Sequence, residues 1–326
     1  IIILFMKKCL VTGVAGFIGC EVALLLSKAG YSIVGIDNLN HYYDVSLKHA
    51  RLKRLNGLVD FREMDLVDKN SLNDLFKTEK FDAVVHLAAQ AGVRYSLENP
   101  QAYVDSNVTG FLSILECCRE NPVKHLVYAS SSSVYGRNKK TPFSTEDPVC
   151  MPSSLYAATK RSNELMAETY SHLFKVNSTG LRFFTVYGPW GRPDMAPWLF
   201  ASSILEGKPI KVFNNGNMLR DFTYIADIAE GVVRVLENGL ERAPIHKLYN
   251  IGHGSPVNLM DFIAILENSL GMEAKKDFLP MQPGDVEVTY ADTSALEKEV
   301  GYLATTDLES GVKAFAEWFK DYKKSI

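Results

Sequence analysis

Cys9-Leu10-Val11-Thr12-Gly13-Val14-Ala15-Gly16-Phe17-Ile18-Gly19 decides the fold. A short apolar run without alternation is what a strand buried on both faces needs. It passes directly into a turn with glycine at every third position, and a helical pattern follows as far as Ala29. Glycines in a strand-to-helix turn let the backbone approach a pyrophosphate, and the N-terminus of the following helix offers N–H groups to it. The spacing is G-x-x-G-x-x-G rather than G-x-G-x-x-G, so the triplet takes its weight from its place between strand and helix. After Gly30-Tyr31 a second strand, Ser32 to Ile36, ends in Asp37, eighteen residues past Gly19. A carboxylate there accepts from ribose hydroxyls and repels a 2′-phosphate. Asn38-Leu39-Asn40 follow it with no arginine directly after, which favours NAD over NADP.

Strand and helix patterns keep alternating. Val59–Glu63, Ala83–Leu87 and His125–Ala129 read as strands, and Asn99–Asn121 reads as one long helix. This order predicts an α/β fold, a Rossmann-type doubly wound parallel sheet, with a smaller C-terminal α/β substrate-binding domain. The expected division is 6–188 for the NAD-binding domain and mainly 189–326 for the second domain, with some exchange of chain between them. Ligands of such sheets sit at the carboxyl ends of the strands. The glycine turn, Asp37, Asp65 and Gln90 all fall at such ends, with Asp65 placed to reach an adenine amino group. His86, among apolar neighbours, reads as a packed core histidine.

Tyr156-Ala157-Ala158-Thr159-Lys160 carries the chemistry. Ser153 or Ser154 can cap a helix running from Leu155 to about Phe174, a stretch without Gly or Pro. Tyr156 and Lys160 then share one helical face. An ammonium beside a phenol favours the phenolate, which fits Tyr156 to act as a general base. Some twenty residues upstream, Ser130-Ser131-Ser132-Ser133-Val134-Tyr135-Gly136 supplies hydroxyls able to bond a substrate hydroxyl.

Composition narrows the class. The 326 residues, 47% hydrophobic and 22% charged with a net charge of −3, are ordinary for a globular enzyme and argue against nucleic acid as the main partner. Five cysteines, Cys9, Cys20, Cys117, Cys118 and Cys150, show no C-x-x-C spacing, so they fit reduced thiols in the cytoplasm and no metal site is expected. Ile1 to Phe5 is too short to span a membrane and stands in the wrong order before Lys7-Lys8 for a signal peptide, which makes Met6 the expected natural start.

Gly13-x-x-Gly16-x-x-Gly19, Asp37, the Ser-Ser-Val-Tyr-Gly run and Tyr156-x-x-x-Lys160 together resemble the extended short-chain dehydrogenase/reductase superfamily. Three longer stretches narrow the resemblance to nucleotide-sugar epimerases of the UDP-glucuronate 4-epimerase type. They are Asp37-Asn38-Leu39-Asn40-His41-Tyr42-Tyr43-Asp44, Ala88-Ala89-Gln90-Ala91-Gly92-Val93-Arg94-Tyr95-Ser96, and Arg182-Phe183-Phe184-Thr185-Val186-Tyr187-Gly188-Pro189-Trp190-Gly191-Arg192-Pro193-Asp194-Met195. The likeness runs from about Lys8 nearly to the C-terminus.

The resemblance implies a reaction. Tyr156, aided by Lys160, takes the proton of the sugar 4-hydroxyl, with Ser131 bridging the two. Hydride passes from C4 to tightly held NAD and returns to the other face of the 4-keto sugar. Cofactor contacts are implied for Gly13, Gly16, Phe17, Ile18 and Gly19, and for Asp37, Asn38, Asp65 and Leu66. Leu87, Ala88, Ala89, Gln90 and Asn107 follow, with Ser130, Tyr156, Lys160 and Phe183 beside the nicotinamide end. On the substrate side, Arg220 and Arg192 are the implied diphosphate ligands, since arginine forks match phosphate oxygens. Lys211, Val212 and Phe213 would lie along the uracil, and Gln282-Pro283-Gly284-Asp285 looks like a late nucleotide-binding turn with Asp285 near ribose or phosphate. Ser133 and Thr185, with Arg94 or Arg192, would hold a C6 carboxylate. Thr185 departs from the Arg-x-x-Asn-x-x-Gly of many superfamily members and agrees with the uronate epimerases.

Related 4,6-dehydratases carry Asp-Glu immediately before Val-Tyr-Gly, and decarboxylases that make a UDP-pentose carry Glu in the last of those positions. Here Ser132 and Ser133 stand there, which argues for epimerisation of an intact carbon skeleton. The alternatives are a 4-epimerase of a neutral or N-acetylated UDP-hexose or uronate, a UDP-glucuronate decarboxylase, and a catalytically silent NAD-binding sensor or scaffold, against which the presence of both Tyr156 and Lys160 speaks. A homodimer is expected, because related proteins pair the helices Asn99–Asn121 and Ser154–Phe174 into a four-helix bundle.

Overall fold

The computed structural model describes residues 6–243, 245–282 and 285–325. The chain divides into two compact units. The first comprises residues up to Gly136, Val149–Arg182 and Ala229–Tyr249; the second comprises Arg137–Pro148, Phe183–Ile228 and Asn250 onward. The chain thus leaves each unit and returns to it.

The first unit is built on strands β1 (Lys8–Thr12), β2 (Ser32–Asp37), β3 (Asp60–Glu63), β4 (Ala83–His86), β5 (His125–Ser131) and β6 (Ser178–Phe183). They form a seven-stranded sheet with the strand His246–Ile251, in the order His246–Ile251, β6, β5, β4, β1, β2, β3. The pairs β1–β2, β1–β4, β2–β3 and β4–β5 run parallel. The order reverses at β1, and such a switch point leaves a crevice at the strand ends. Cys9, Leu10 and Val11 are fully buried, as the apolar run requires. Helices α1 (Phe17–Lys28), α2 (Val45–Arg54) and α3 (Lys69–Glu79) connect the first strands. Leu10, Val34, Val84 and Leu126 from the strands pack with Phe76 of α3 and with Phe111, Ile114 and Leu115. Each such side chain contributes about 1.5–3 kcal/mol on burial.

The long helix expected over Asn99–Asn121 is interrupted. Tyr95–Glu98 (α4) and Pro100–Tyr103 (α5) lead into a π-helical segment, Val104–Thr109, before α6 (Gly110–Glu120). Asn107 lies inside the π segment, and π-bulges mark positions where a side chain has been re-aimed. The next helix, α7 (Leu155–Phe174), begins as its sequence predicts: Ser154 is extended and its Oγ accepts from the N–H of Ala157 at 3.1 Å. The buried stripe of α7 includes Lys160, Asn163, Glu164 and Ser171. A helix that buries so many polar groups must pair each one with its neighbours, and these pairings build the site.

In the second unit the helices Ala196–Leu205, Leu259–Leu270 and Leu308–Ser325 enclose a core of Phe200, Ile204, Phe262, Leu266, Phe315 and Phe319. The strand Ile210–Phe213 pairs in parallel with Lys276–Leu279, and Thr185–Tyr187 with Phe222–Tyr224. Asp221, fully buried, accepts the backbone N–H groups of His253 (2.8 Å), Gly254 (3.1 Å) and Ala291 (3.0 Å), and so ties distant loops to the strand end.

Candidate active site

Four strands of the first unit deliver their carboxyl ends to one edge of the sheet. At the end of β1, Gly13 adopts φ +70°, and its N–H donates to Ile36 O at 2.8 Å. A Cβ on Gly13 would sit 2.7 Å from the Ala88 nitrogen, and one on Gly19 would sit 2.1 Å from the Gly13 oxygen. Gly19 is therefore required by the turn's own packing, and Gly13 by its positive φ and by the loop after β4 that lies against it. The first turn of α1 follows with no side-chain cap at Gly16. Backbone held this close, ending on an uncapped helix N-terminus, is a cradle for a diphosphate, so this edge fits a dinucleotide.

Asp37, at the end of β2, is nearly buried. It accepts from Leu39 N at 2.9 Å and Ala15 N at 3.2 Å, and faces the Lys48 ammonium at 3.8 Å. Burial raises its pKa, while Lys48 opposes the rise. Asn38 Nδ2 donates to Asp65 Oδ2 at 2.8 Å, which joins the two predicted adenosine contacts. Leu66 is buried in the core. After β4, Leu87 and Ala88 donate their N–H groups to Thr12 Oγ1 at 3.2 and 3.1 Å. Thr12 Oγ1 also bonds His86 Nδ1 at 2.9 Å. His86 stacks on Phe111, and burial with the nearby Lys160 charge pushes its pKa down to about 3, so it is a neutral core residue.

Asn107 explains the π segment. Its Oδ1 accepts from Gln90 N at 2.8 Å, and its Nδ2 donates to Gln90 O at 3.0 Å and to Thr159 Oγ1 at 3.0 Å. Its carbonyl accepts from Asn163 Nδ2 at 2.6 Å. One amide thereby locks the loop after β4 to α7.

The ends of β5 and α7 meet at the Tyr-Lys pair. Lys160, 2% exposed, donates from Nζ to Ala129 O at 3.0 Å, and burial pushes its pKa down to about 8. Tyr156 lies one turn earlier, half-buried, with its ring edge-on to Tyr103 at 6.0 Å. Ser131, the last residue of β5, accepts from Ser133 N at 3.1 Å and so caps the short 3-10 turn Ser132–Tyr135. Ser132 and Ser133 are half-buried, while Arg94 stands exposed at the start of α4. Ser130 is 1% exposed, and its hydroxyl donates to Glu164 at 2.6 Å.

In the second unit, Thr185 donates its N–H to Asp221 O at 3.1 Å, just after Phe183 and Phe184. Arg192 grips Asp194 with a fork, 2.9 and 2.5 Å. The Arg220 guanidinium lies along backbone, donating to Leu219 O at 2.9 Å and Glu287 O at 3.0 Å. Burial lowers its pKa, and Asp285 opposes this. Val212 is a core residue, so a ligand would meet its backbone, whereas Lys211 is exposed and Phe213 half-buried. Asp285 N donates to Gln282 O at 3.2 Å; Pro283 and Gly284 of that turn lie outside the described residues.

Residues 9–252 match the NAD dependent epimerase/dehydratase family. The chain belongs to that family. It is 48% identical over 328 residues to UDP-glucuronate 4-epimerase 4 of Arabidopsis thaliana, covering 96% of this chain and 75% of that one. It is 49% identical to the protein CapI of Staphylococcus aureus, covering 97% of this chain and 99% of CapI. Among solved structures it superposes on UDP-glucuronic acid 4-epimerase from Bacillus cereus, in complex with UDP-glucuronic acid and NAD. That match has a TM-score of 0.91 and 36% identity, and covers 97% of this chain and all of that one.

Within this NAD dependent epimerase/dehydratase fold, Glu164 goes unnoticed in a motif-led reading, and Arg182 opens a quoted motif without being given a role. Arg182 Nε and Nη2 donate to the two Glu164 oxygens at 2.8 and 3.0 Å, both side chains being 1% exposed. Two signals for them exist. Glu164 falls two turns after Tyr156 on the same face, and Arg182 is a lone cation in the otherwise uncharged β6 strand Ser178–Phe183. Lys48 and Arg51 are likewise buried, Arg51 donating to Ala15 O at 3.1 Å and Tyr43 Oη at 2.6 Å. Among the described residues no cluster of His, Cys, Asp or Glu is arranged to hold a metal ion.

Proposed function

We propose that this protein interconverts UDP-glucuronate and UDP-galacturonate by epimerisation at C4, with NAD as a cofactor that is not consumed. The observation that carries the reading is the juxtaposition at one strand edge of a buried Lys160, Tyr156 one turn before it, and a Ser131–Ser133 turn whose side chains are hydroxyls only. Bound NAD supplies the acceptor and donor of the C4 hydride. The protein holds the sugar and moves the hydroxyl proton.

Tyr156 removes the proton from the 4-hydroxyl as C4 is oxidised and gives it back on the return. The Lys160 ammonium favours the phenolate by its charge, and its bond to Ala129 O fixes where that charge stands. Ser131 orients the 4-hydroxyl. Ser132 and Ser133, lacking carboxylates, neither eliminate nor decarboxylate the keto sugar. Asp37 and Asn38 hold the adenosine end of the cofactor, and Arg192 and Arg220 are cations of the kind an anionic substrate needs.

Two further points belong to the same reading. Leu165, Leu173 and Phe174 on α7 are 54%, 59% and 42% exposed, and Leu97 on α4 is 67% exposed. We assign these faces to a homodimer. Light scattering should give twice the chain mass, and Leu165→Arg should give the monomer. The five cysteines are free, which suits a reducing cytoplasm. No described helix is long and apolar enough to cross a membrane.

NMR of the purified protein with UDP-glucuronate, without added NAD, tests the function. UDP-galacturonate should appear with every carbon kept. A UDP-pentose as main product, or turnover of only neutral or N-acetylated UDP-sugars once NAD is supplied, would refute the reading.

A further inference from the structure

Glu164, though 1% exposed, accepts from three side chains. Besides the Arg182 fork, it accepts from Ser130 Oγ at 2.6 Å and from Arg161 Nη1 at 2.8 Å. Arg182 in turn donates from Nη1 to Tyr135 Oη at 3.0 Å, and its guanidinium carbon lies 4.9 Å over the Tyr135 ring. Ser130 immediately precedes Ser131, and Tyr135 closes the 3-10 turn that begins at Ser132. A single buried ion pair therefore grips the serine turn at both ends and fastens it to the helix that carries Tyr156 and Lys160. A buried pair of this kind seldom adds stability over an apolar replacement, because both charges must be desolvated. Its placement points to geometry instead.

We propose that Glu164 and Arg182 are positioning residues which, through Ser130 and Tyr135, hold the Ser131–Ser133 turn rigid enough to keep a uronate substrate from losing its carboxylate during the keto stage. The proposal rests on the uronate reading above. A 4-keto uronate is a β-keto acid. When the C5–C6 bond lines up with the carbonyl π system, it breaks, CO2 leaves, and the electron pair forms an enolate that is then protonated at C5; the hydride earlier taken from C4, returned to the remaining ketone, would give the UDP-pentose. Hydroxyls on a fixed turn prevent that alignment, and hydroxyls on a turn that drifts permit it. Small misplacements of this kind also lower the rate of the productive step.

Ser130→Ala is the decisive variant, because it frees one end of the turn and leaves the ion pair in place; Glu164→Gln is its companion. Each is compared with wild type for kcat, KM, urea midpoint and the ratio of UDP-pentose to UDP-galacturonate by NMR. Ser130→Ala should lower kcat about tenfold with KM little changed, lower the urea midpoint by no more than the loss of one bond to a buried carboxylate explains, and release UDP-pentose where wild type releases none. Glu164→Gln should move the same ratio further. Wild-type product ratio and kcat in Ser130→Ala would overturn the proposal, and so would a loss of activity that merely tracks a lowered midpoint. Should wild type itself leave UDP-glucuronate unchanged, the proposed function fails first, and the two failures stay distinguishable.

Discussion

Lys160 is 2% exposed, and burial lowers its pKa from 10.5 to about 8. An unfolded chain binds that proton up to about 10.5, so across the window from about 8 to 10.5 the unfolded state holds more protons and folding gains stability as pH rises. The stability of wild type relative to Lys160→Met should therefore climb through that window and stay flat below it. Urea melts of both proteins over this range test it, and a flat difference would mean that the ammonium is not desolvated. The same burial prepares Lys160 for its task, since a charge in a low-dielectric site acts strongly on its neighbour. Tyr156→Phe removes the proposed proton acceptor and keeps the ring against Tyr103, so the protein should fold normally. Its kcat should fall by about 10²–10⁴, the range of a general-base contribution. Steady-state assays of the folded variant decide this.

At the scale of elements, the π segment Val104–Thr109 depends on Asn107. In Asn107→Ala the Gln90 N–H loses its buried partner, which costs about 1–3 kcal/mol. The loop after β4 should loosen with it, so the urea midpoint should fall and NAD should be lost more readily on gel filtration; a variant that keeps both would remove Asn107 from this role. The π geometry is not readable in Asn99–Asn121, because its driving contacts come from Gln90, Thr159 and Asn163, distant in sequence. Elements whose causes are local are readable. Gly19 is needed by the turn it sits in, Ser154 caps the helix it starts, and the apolar run Cys9–Val11 states its own burial. Tyr156 and Lys160 belong to this legible group because one helix sets their spacing. Glu164 lies on the same stripe, yet its meaning depends on Arg182, Ser130 and Tyr135 from three other segments, and no local pattern announces that. Ser130 illustrates the same limit: the serine run is visible, but which of its hydroxyls turns inward is decided by packing.

For the whole molecule, the proposed epimerisation implies a closed redox cycle. On the proposed function, the hydride removed from C4 goes to the bound cofactor and the proton removed from the 4-hydroxyl goes to Tyr156, whose O–H does not exchange with carbon-bound hydrogen. UDP-glucuronate carrying deuterium at C4 should therefore give UDP-galacturonate with deuterium at C4. Unlabelled substrate turned over in D2O should gain no deuterium at C4, and none at C5 if the keto sugar is held against enolisation. NMR reads both positions in one experiment. Loss of the C4 label would show that the reduced cofactor exchanges with the bulk between half-reactions, which contradicts a cofactor retained through the cycle. Deuterium at C5 with C4 intact would place the fault in the grip on the sugar instead, at the Ser131–Ser133 turn and the Glu164–Arg182 pair behind it.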